Sequence, residues 1–294
     1  MTIEPGKVSI VLPTLNGAQY IRQSIDSCLA QTYTNFEIIV VDGGSTDNTL
    51  EIVNNYIDPR IKIIHQGKNG GKLPGALNLG FAAAVGEFFT WVQDDDYYTP
   101  DAIEVMINRL QNEPDLGLVY TSYWEIDAQG DVIGESILHQ PEDIHWTNPV
   151  GQCFLYRQSI VSKIGGYDLN YFMAEDIQYW MRVYKSSNMQ LIPGRHYYHR
   201  LHGGSLTVKN YGRYLARRVA AKGRREIFHQ NWFSYQCQVA ETYIEEAFAA
   251  YSDRDFDRVR SCLIKGVLRN PTWLSNRGVV SIGLKSLLSL SSNV

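Results

Sequence analysis

Three consecutive carboxylates, Asp94, Asp95 and Asp96, directly follow the apolar run 88–92 and Gln93. Acidic groups at the end of a buried strand are costly unless a cation or hydrogen-bond donors offset their charge. Oxygen ligands suit a hard divalent ion such as Mg²⁺ or Mn²⁺. Such an ion would keep open positions for a phosphate-bearing substrate. A solvated acidic turn explains three aspartates equally well, so the choice depends on the rest of the chain.

A second acidic pair, Glu175 and Asp176, stands at the predicted start of a helix. The positive end of a helix dipole stabilises a carboxylate. It would keep the group ionised near neutral pH, as a general base must be. Capping is the commoner role of an acid in a first helical turn, and it remains the alternative here.

Composition narrows the function classes. The chain has 294 residues, with 44% hydrophobic and 20% charged residues, as in ordinary globular proteins. A net charge of −4 argues against nucleic-acid binding by the protein as a whole. Four scattered cysteines form no CxxC pair, which argues against zinc and against a disulfide framework. They are Cys28, Cys153, Cys237 and Cys262.

The first residues and the hydropathy predict a location. Residues 1–6 lack the charged segment and apolar core of a signal peptide. No run of about 18 apolar residues suggests a membrane span. We therefore expect a cytoplasmic protein, either free or peripheral to the inner face of a membrane.

The elements that must position these acids alternate along the chain. Apolar runs predict strands at 8–12, 37–42, 61–65 and 87–93, with amphipathic helices between them. The second helix would bury Thr49, Ile52, Val53, Tyr56 and Ile57. Such alternation predicts a parallel sheet built of right-handed βαβ units.

The rest of the chain is less regular. A strand at 116–124, a turn at 128–131 and a last strand pair within 189–199 are predicted, whereas 134–172 has no clear pattern. Helical patterns occupy 207–269 and 273–290. We expect a first domain at 1–206 and a helical region at 207–294.

Four polar segments should meet at one edge of the predicted sheet. Residues 13–16, Asp42, the loop 66–72 and the acidic run 94–96 each lie at the carboxyl end of a predicted strand. In open α/β sheets, ligands bind beyond the carboxyl ends of the strands. The sequence therefore predicts a ligand site at this edge.

These segments resemble those of family 2 glycosyltransferases. The resemblance rests on 8–16, 37–47, 94–96 and 174–176, in this order and spacing, and covers about residues 7–205. It implies an α/β protein of the GT-A fold, with a Rossmann-like, mostly parallel sheet flanked by helices and followed here by a C-terminal helical appendage. It also implies an inverting enzyme that uses a nucleotide-diphosphate sugar, with UDP favoured, and Mn²⁺ or Mg²⁺. The acceptor would be a glycan, a lipid-linked molecule or another hydroxyl compound in the synthesis of cell-surface polysaccharide or glycoconjugates.

The same resemblance assigns the donor site. The base and ribose would lie against Pro13, Thr14, Leu15 and Asn16, and Asp42 would accept a hydrogen bond from uracil N3–H. The alternatives are a strand-to-helix turn capped by Asn16, and an Asp42 that caps the 45–48 turn. Asp94 would bind the ribose and Asp95 the metal, while Asp96 would support Asp95 or replace it as ligand.

The resemblance also assigns the transfer step. Asp176 would be the general base and Glu175 a neighbour that orients the acceptor. Relatives often carry arginine at the position of Leu77, so Lys72 would supply positive charge near the nucleotide, or else be an ordinary loop lysine. His202 would approach the diphosphate or the metal, with a surface histidine as the alternative.

Aromatic and basic residues leave further questions open. The acceptor-side aromatics could stack on sugar rings, but the helical spacing of Trp180 predicts a place in the core instead. They are Trp146, Tyr156, Tyr167, Tyr171, Tyr179 and Trp180. The basic stretch 209–225 could contact an anionic membrane or a phosphorylated lipid, remain solvated, or pair with Glu241, Glu245 and Glu246. The amphipathic segment 278–290 could pack on the domain, a partner or a membrane.

Two rival functions remain. A sugar nucleotidyltransferase would share the α/β layout, but it normally has a Gly-rich basic loop after the first strand, and residues 13–18 carry no charge. A non-catalytic nucleotide-sugar-binding or scaffolding module would be favoured by loss of the metal or base carboxylate. Asp95 and Asp176 are both present.

Overall fold

The computed structural model describes residues 2–67, 72–204 and 212–291, the last three by their backbone alone. The chain divides into two compact units, Met1–His202 and Gly203–Val294.

The first unit is built on one nine-stranded sheet, with strand order β3-β2-β1-β4-β8-β6-β9-β5 and β7 paired to β6. The strands are β1 Glu4–Thr14, β2 Phe36–Asp42, β3 Ile61–His65, β4 Gly86–Trp91, β5 Tyr97–Tyr98, β6 Leu116–Ile126, β7 Val132–Glu135, β8 Cys153–Arg157 and β9 Asn188–Arg200.

The first four predicted strands are present and parallel, in the order β3-β2-β1-β4. The other half of the sheet is mixed, because β8 runs antiparallel to β4 and β6 while β9 runs parallel to β6. The predicted α/β fold, with a sheet flanked by helices, is confirmed.

Six helices accompany the sheet in the described part of this unit. They are α1 Ile21–Leu29, α2 Thr49–Asn54, α3 Lys72–Ala83, α4 Ala102–Asn112, α5 Gln158–Ile164 and α6 Glu175–Ser186, with short 3₁₀ turns at Pro141–His145 and Leu169–Tyr171. β2 is buried along its whole length, as expected for a central strand covered on both faces. Ile57 contradicts the prediction of burial, because α2 ends at Asn54 and the Ile57 side chain is fully exposed.

The predicted strand pair at 189–199 is one strand, β9. Tyr120 of β6 lies opposite Leu191, but Ser122 lies opposite Arg195, so β9 bulges between these positions. Gly194 within the bulge has φ of 111°. A proline and a glycine at a bulge resemble a turn in the sequence, which explains the wrong prediction of two strands.

The second unit is helical, as the sequence predicts. Its helices are α7 Gly212–Phe228, α8 Trp232–Ser252, α9 Phe256–Arg269 and α10 Arg277–Ser291, with a 3₁₀ turn at Pro271–Ser275. Side chains of α8, α9 and α10 form its core, among them Ile244, Val259 and Ile282. Within the described ranges, no helix is long and apolar enough to cross a bilayer.

The basic stretch of α7 is largely engaged within this unit. Arg218 pairs with the buried Glu246 at 2.6 Å, and Arg217 pairs with Glu245. Arg224 is 7% exposed, and burial lowers its pKa to about 10. The intramolecular alternative for this stretch is therefore observed, while Lys209 lies outside the described residues.

Candidate functional site

The loops that follow β1 and β2 form one connected edge. Thr14 and Asp42 are opposite each other in the parallel register, and Gly43 N donates to Thr14 O at 2.9 Å. Asn16, at φ of 57°, accepts from Thr46 N at 2.8 Å and donates its own N–H to Ser45 Oγ at 2.9 Å. Asparagine tolerates this left-handed conformation better than most residues do. The predicted donor segment 13–16 is thus held against the loop after β2, and Leu15 is exposed.

Asp42 is buried at the end of β2 and caps the following turn. Gly44 N and Ser45 N both donate to its carboxylate at 3.1 Å. Burial would raise its pKa, but hydrogen bonds from Ser45 and Gly44 outweigh burial and lower the pKa. The carboxylate is therefore an ionised acceptor at neutral pH, which suits either role predicted for it.

Asp94 follows β4 and leans towards the end of β1. Thr14 Oγ1 donates to Asp94 Oδ2 at 2.5 Å. Gly17 allows this approach, because a β-carbon there would overlap Asp94 Oδ2. Burial, followed by the neighbouring Asp95 charge, raises the pKa of Asp94 to about 6, against the Thr14 hydrogen bond. The chain therefore holds a carboxyl group here whose charge is incompletely compensated.

Asp95 contacts the segment that ends the first unit. His202 Nε2 lies 2.9 Å from Asp95 Oδ2, and Arg200 Nε donates to the Asp95 carbonyl at 2.9 Å. Burial and the Asp96 charge raise the pKa of Asp95, while His202 opposes the shift. The structure thus brings together the two residues that the resemblance places near a metal.

Asp96 is fully buried and already accepts from several donors. Tyr197 OH donates at 2.9 Å, Arg200 N donates at 2.7 Å, and His199 Nδ1 lies 3.0 Å away. Burial opposes a charged imidazole, but the Asp96 carboxylate raises the pKa of His199. This arrangement favours Asp96 as a support that fixes β9 behind Asp95 rather than as an alternate ligand.

Arg200 is a buried residue that the sequence reasoning missed. Its guanidinium donates to Asp127 O, Ala128 O and Gln23 Oε1, and it lies 4.5 Å from the Tyr20 ring centroid. The only sequence signal for Arg200 is the cluster of polar residues with Tyr197 and His199 near the end of the same strand. That cluster can be interpreted only when the neighbouring elements of the fold are known.

Glu175 and Asp176 begin α6 after a strained residue. Met173 has φ of 77°, in the left-handed region that non-glycine residues adopt at a cost of roughly 1–3 kcal/mol. Asn148 Nδ2 donates to Asp176 Oδ2 at 2.8 Å. Burial raises the pKa of Asp176, although the Ile177 N–H and Asn148 lower it. The helix start therefore does not by itself depress this pKa, contrary to the simple dipole expectation.

Glu175 lies beside this base candidate with little compensation. It is 6% exposed, and its Oε2 has no hydrogen-bond partner among the described residues. Burial and the Asp176 charge raise its pKa to about 7. A buried polar atom without a partner is unusual and fits a position that a hydroxyl-bearing ligand would complete.

One segment connects the two acidic centres. Asn148 holds Asp176, and four residues later Gln152 Oε1 accepts from Gln93 Nε2 at 3.0 Å. Gln93 directly precedes Asp94. The segment 148–152 therefore links Asp176 to the end of β4 through two side-chain hydrogen bonds.

Asn78 and Lys72 contact the turn that leads towards α6. Asn78 Nδ2 donates to Tyr167 O, and Tyr167 N donates to Asn78 Oδ1, each at 2.7 Å. Lys72 Nζ lies 4.1 Å from the Phe172 ring centroid. Lys72 thus has a structural contact of its own, while residues 68–71 of its predicted loop lie outside the described part.

The predicted aromatic stacking surface is mostly wrong. Five of the six side chains are buried, and π contacts join many of these rings to one another and to neighbouring aromatic rings. They are Tyr156, Tyr167, Tyr171, Tyr179 and Trp180, and the burial of Trp180 agrees with the core position predicted from its helical spacing. Trp146 differs, because it is 72% exposed and stands two residues before Asn148.

The protein side chains of the site supply only some of the ligands that a metal ion needs. Among the residues that the structure describes, no group of three or more His, Cys, Asp or Glu is arranged to hold an ion. Asp95 and His202 provide one carboxylate and one imidazole. Mg²⁺ and similar ions are commonly held by one or two carboxylates plus substrate phosphates. The residues therefore fit an ion that takes most of its ligands from a bound diphosphate.

Comparison with protein families gives a direct match. The family model described as "Glycosyl transferase family 2" matches residues 9–165. A glycosyltransferase of Rickettsia prowazekii is 36% identical over 194 residues, which cover 62% of this chain and 60% of that protein. Chondroitin synthase of Pasteurella multocida is 35% identical over 128 residues, which cover 43% of this chain and 13% of that protein. The chain thus matches less than two thirds of the length of these relatives.

Solved structures share the fold. S. aureus TarS residues 1–349, in complex with UDP-GlcNAc, aligns with TM-score 0.65 and 20% identity over 90% of this chain and 81% of that chain. A mannosyltransferase from Pyrobaculum calidifontis, in complex with GDP-Man and Mn²⁺, aligns with TM-score 0.60 and 18% identity over 95% of this chain and 86% of that chain. At these identities the likeness concerns the fold alone.

Proposed function

This chain belongs to glycosyl transferase family 2, and from that premise we propose that it is an inverting, metal-dependent glycosyltransferase. Its donor is a nucleotide-diphosphate sugar, with a UDP-sugar favoured. Its acceptor is a hydroxyl of a glycan or a lipid-linked molecule. Residues 1–206 form the proposed catalytic domain.

The observation that carries this proposal is the linked pair of acidic centres. The ends of β1, β2 and β4 are joined by the Thr14–Asp94 hydrogen bond and the shared register of β1 and β2. The segment 148–152 connects that edge to Asp176. Sugar transfer needs a base beside the donor site, because the base must meet the acceptor hydroxyl close to the donor carbon.

On the donor side, the exposed segment 13–16 and the ionised Asp42 receive the base and ribose. Asp42 accepts the N3–H of uracil while it keeps its turn hydrogen bonds, because each carboxylate oxygen has more than one lone pair. Asp94 accepts a ribose hydroxyl. The relative bound to UDP-GlcNAc and the relative bound to GDP-Man both take nucleotide sugars, which supports this class of donor.

Asp95, with His202 beside it, would hold Mn²⁺ or Mg²⁺ together with the diphosphate. Such an ion neutralises the negative charge that develops on the leaving group. Asp96 fixes the chain behind Asp95 through Tyr197 and the Arg200 N–H. The Mn²⁺ in the complex of the mannosyltransferase with GDP-Man supports a divalent metal in this fold.

On the acceptor side, Asp176 Oδ takes the proton from the attacking hydroxyl. Asn148 orients the carboxylate and lowers its pKa against the effect of burial. Glu175 contacts the acceptor through Oε2, for which no partner is present among the described residues. The displacement is a single step, so no covalent sugar–enzyme intermediate forms and the anomeric configuration inverts.

The biological setting is proposed from the relatives. A match to a chondroitin synthase supports polysaccharide or glycoconjugate synthesis. The four free cysteines are in keeping with a cytoplasmic location.

The first test compares Asp176→Asn with the unchanged protein. Each is incubated with α-linked UDP-sugars, Mn²⁺ and a panel of sugar acceptors. Loss of the base should reduce transfer roughly 10²- to 10⁴-fold, while donor affinity stays within about twofold. The product of the unchanged protein should be β-linked by NMR. Glu142→Gln, at an exposed acid, is the matched control. Full turnover by Asp176→Asn, or an α-linked product, would contradict the proposal.

A further inference from the structure

The last described helix, α10, turns an apolar face towards solvent. Its inward face is buried at Val279, Ile282 and Ser286. Four large apolar side chains, between 41% and 68% exposed, occupy the opposite side at spacings i, i+4, i+7 and i+8. This outward face of α10 consists of Val280, Leu284, Leu287 and Leu288. A helix that packed only within its own unit would carry polar side chains there.

The sequence that leads into and forms α10 is rich in basic residues. After Asp257 the sequence contains no Asp or Glu, but it contains six basic residues. They are Arg258, Arg260, Lys265, Arg269, Arg277 and Lys285. Arg277 and Lys285 are exposed on α10 itself. Arg258 and Arg260 pair with Glu246 and Asp257, so the positive charge that accompanies the outward face rests on Arg277 and Lys285.

The two units also differ in charge. Residues 203–294 contain 14 Lys and Arg against seven Asp and Glu, a formal charge of +7. Residues 1–202 contain 13 basic against 24 acidic residues, a formal charge of −11. Basic charge is thus concentrated in the unit that exposes the apolar face, which favours an anionic surface as its partner.

The basic stretch of α7 is a weaker candidate for such a contact. Arg217 and Arg218 pair with Glu245 and Glu246, and Arg224 is buried. Charges already paired within the protein contribute less to attraction by an external surface. The structure therefore shifts attention from α7 to α10.

We propose that the outward face of α10 docks on an anionic phospholipid bilayer. The helix lies in the plane of the headgroups, with its leucines inserted and with Arg277 and Lys285 at the phosphate level. A second copy of the chain fits less well. Symmetric pairing through this face would set the same basic residues of each copy close together, without an acid on α10 to compensate them.

The test uses the full chain and lipid vesicles in the absence of any sugar donor. Co-sedimentation is measured with vesicles of phosphatidylcholine containing a quarter phosphatidylglycerol, and with pure phosphatidylcholine. We expect binding to the anionic vesicles, weakened by salt, and much weaker binding to the neutral ones. Because no transfer is measured, failure here leaves the proposed enzymatic function untouched.

Two variants test the face itself. Leu284→Ser with Leu288→Ser should weaken partitioning roughly tenfold or more, because inserted apolar area is lost. Arg277→Gln with Lys285→Gln should weaken it roughly 20- to 30-fold, since each basic residue near an anionic surface contributes about fivefold. The matched control is Val132→Ser with Ile133→Ser, two exposed apolar residues of β7 in the other unit, and it should bind as the unchanged protein does.

Circular dichroism and thermal unfolding establish that each variant is folded. The proposal is overturned if anionic vesicles bind no better than neutral ones, or if the leucine variant binds as tightly as the unchanged chain. It is also overturned if the leucine variant changes the molecular mass in light scattering without a change in vesicle binding. That result would assign the face to contact between copies.

Discussion

The carboxylates of the site differ in how far the protein compensates their charge. Asp42 receives two backbone N–H groups and has a lowered pKa, whereas burial raises the pKa of Asp94 to about 6. A carboxyl group with a pKa near 4 in the unfolded chain is then harder to ionise in the folded protein. Asp94 therefore costs stability at neutral pH, as expected of a residue retained for ligand binding.

This cost predicts that Asp94→Asn stabilises the protein. Between pH 4 and 6 the folded state binds the Asp94 proton more tightly than the unfolded state does, so the unfolding free energy falls as pH rises through this window. With EDTA present, we expect the variant to be roughly 3 kcal/mol more stable at pH 7.5, since the pKa of Asp94 is raised by roughly two units and one unit corresponds to about 1.4 kcal/mol. At pH 4 the gain should vanish. Denaturant unfolding at the two pH values measures both effects.

The control for Asp94→Asn is Asp131→Asn, at an exposed turn. It should leave the unfolding free energy within about 0.5 kcal/mol of the unchanged protein. A destabilised Asp94→Asn at pH 7.5 would show that the cost assigned to this carboxylate is wrong.

Asn148 predicts a second effect at this scale, on the pH dependence of transfer. Its N–H group stabilises the ionised form of Asp176 and lowers the pKa of that carboxyl. Asn148→Ala should therefore raise this pKa, by about one unit for a hydrogen bond to a charged group. A base must be ionised, so the acidic limb of the pH profile of kcat/KM should move to higher pH. Asn170→Ala, at an exposed asparagine, should leave the limb in place, and an unmoved limb in Asn148→Ala would refute the assigned role.

Sequence reasoning found the site acids more readily than their partners. Asp42 could be located because it directly follows an apolar run, and Asp94 because it follows another run after Gln93. Asn148, His199 and Arg200 come from segments distant in the chain, and their types are common in loops and strands. Their roles depend on which strands are neighbours, which local patterns do not specify.

At the scale of elements, contacts between two loops hold in place the sheet edge that is proposed to bind the donor. Asn16 contacts Ser45 and Thr46, and Ala18 N donates to Asp47 Oδ2 at 3.2 Å. These hydrogen bonds join the β1–α1 loop to the β2–α2 loop and hold both in one arrangement. Binding then requires less ordering of the protein, which favours affinity.

A small substitution at Gly17 tests the part that Asp94 plays at this edge. A β-carbon there would overlap Asp94 Oδ2 and crowd Thr14 Oγ1. Gly17→Ala should displace the Asp94 carboxylate and weaken donor binding roughly tenfold, with a stability loss of about 1–3 kcal/mol from overpacking. Calorimetric titration of the donor nucleotide measures the first effect and denaturant unfolding the second.

Gly283→Ala is the matched control, because its new β-carbon would make an ordinary 3.4 Å contact with Leu263. This helical position should gain stability slightly and keep the donor affinity. Equal donor affinity in Gly17→Ala and the unchanged protein would contradict the assigned role of Asp94.

The elements themselves were predictable to different degrees. β1 to β4 and the helices between them could be predicted because short apolar runs alternate with amphipathic segments. A parallel strand that is buried on both faces is apolar at nearly every position. The mixed half of the sheet does not follow in the same way. β5 has two residues, β9 bulges at residues 192–194, and residues 134–172 combine 3₁₀ turns with one short strand and one short helix. These features depend on tertiary contacts more than on periodicity.

At the scale of the molecule, the chain combines an acidic α/β unit with a basic helical one. The family match at residues 9–165 lies wholly in the first unit. The second unit supplies the exposed apolar face of α10. This division accords with the two proposals, in which the first unit performs the transfer and α10 of the second contacts a membrane.

The central claim is that the edge formed by β1, β2 and β4 binds a nucleotide diphosphate with a divalent metal. Isothermal titration of UDP, GDP and dTDP, each with and without Mn²⁺, tests it most directly. We predict that one of them, UDP first, binds tightly only with Mn²⁺, and that Asp95→Ala removes the metal-dependent part. Absence of binding by all three, or affinity that neither Mn²⁺ nor Asp95→Ala alters, would contradict the account.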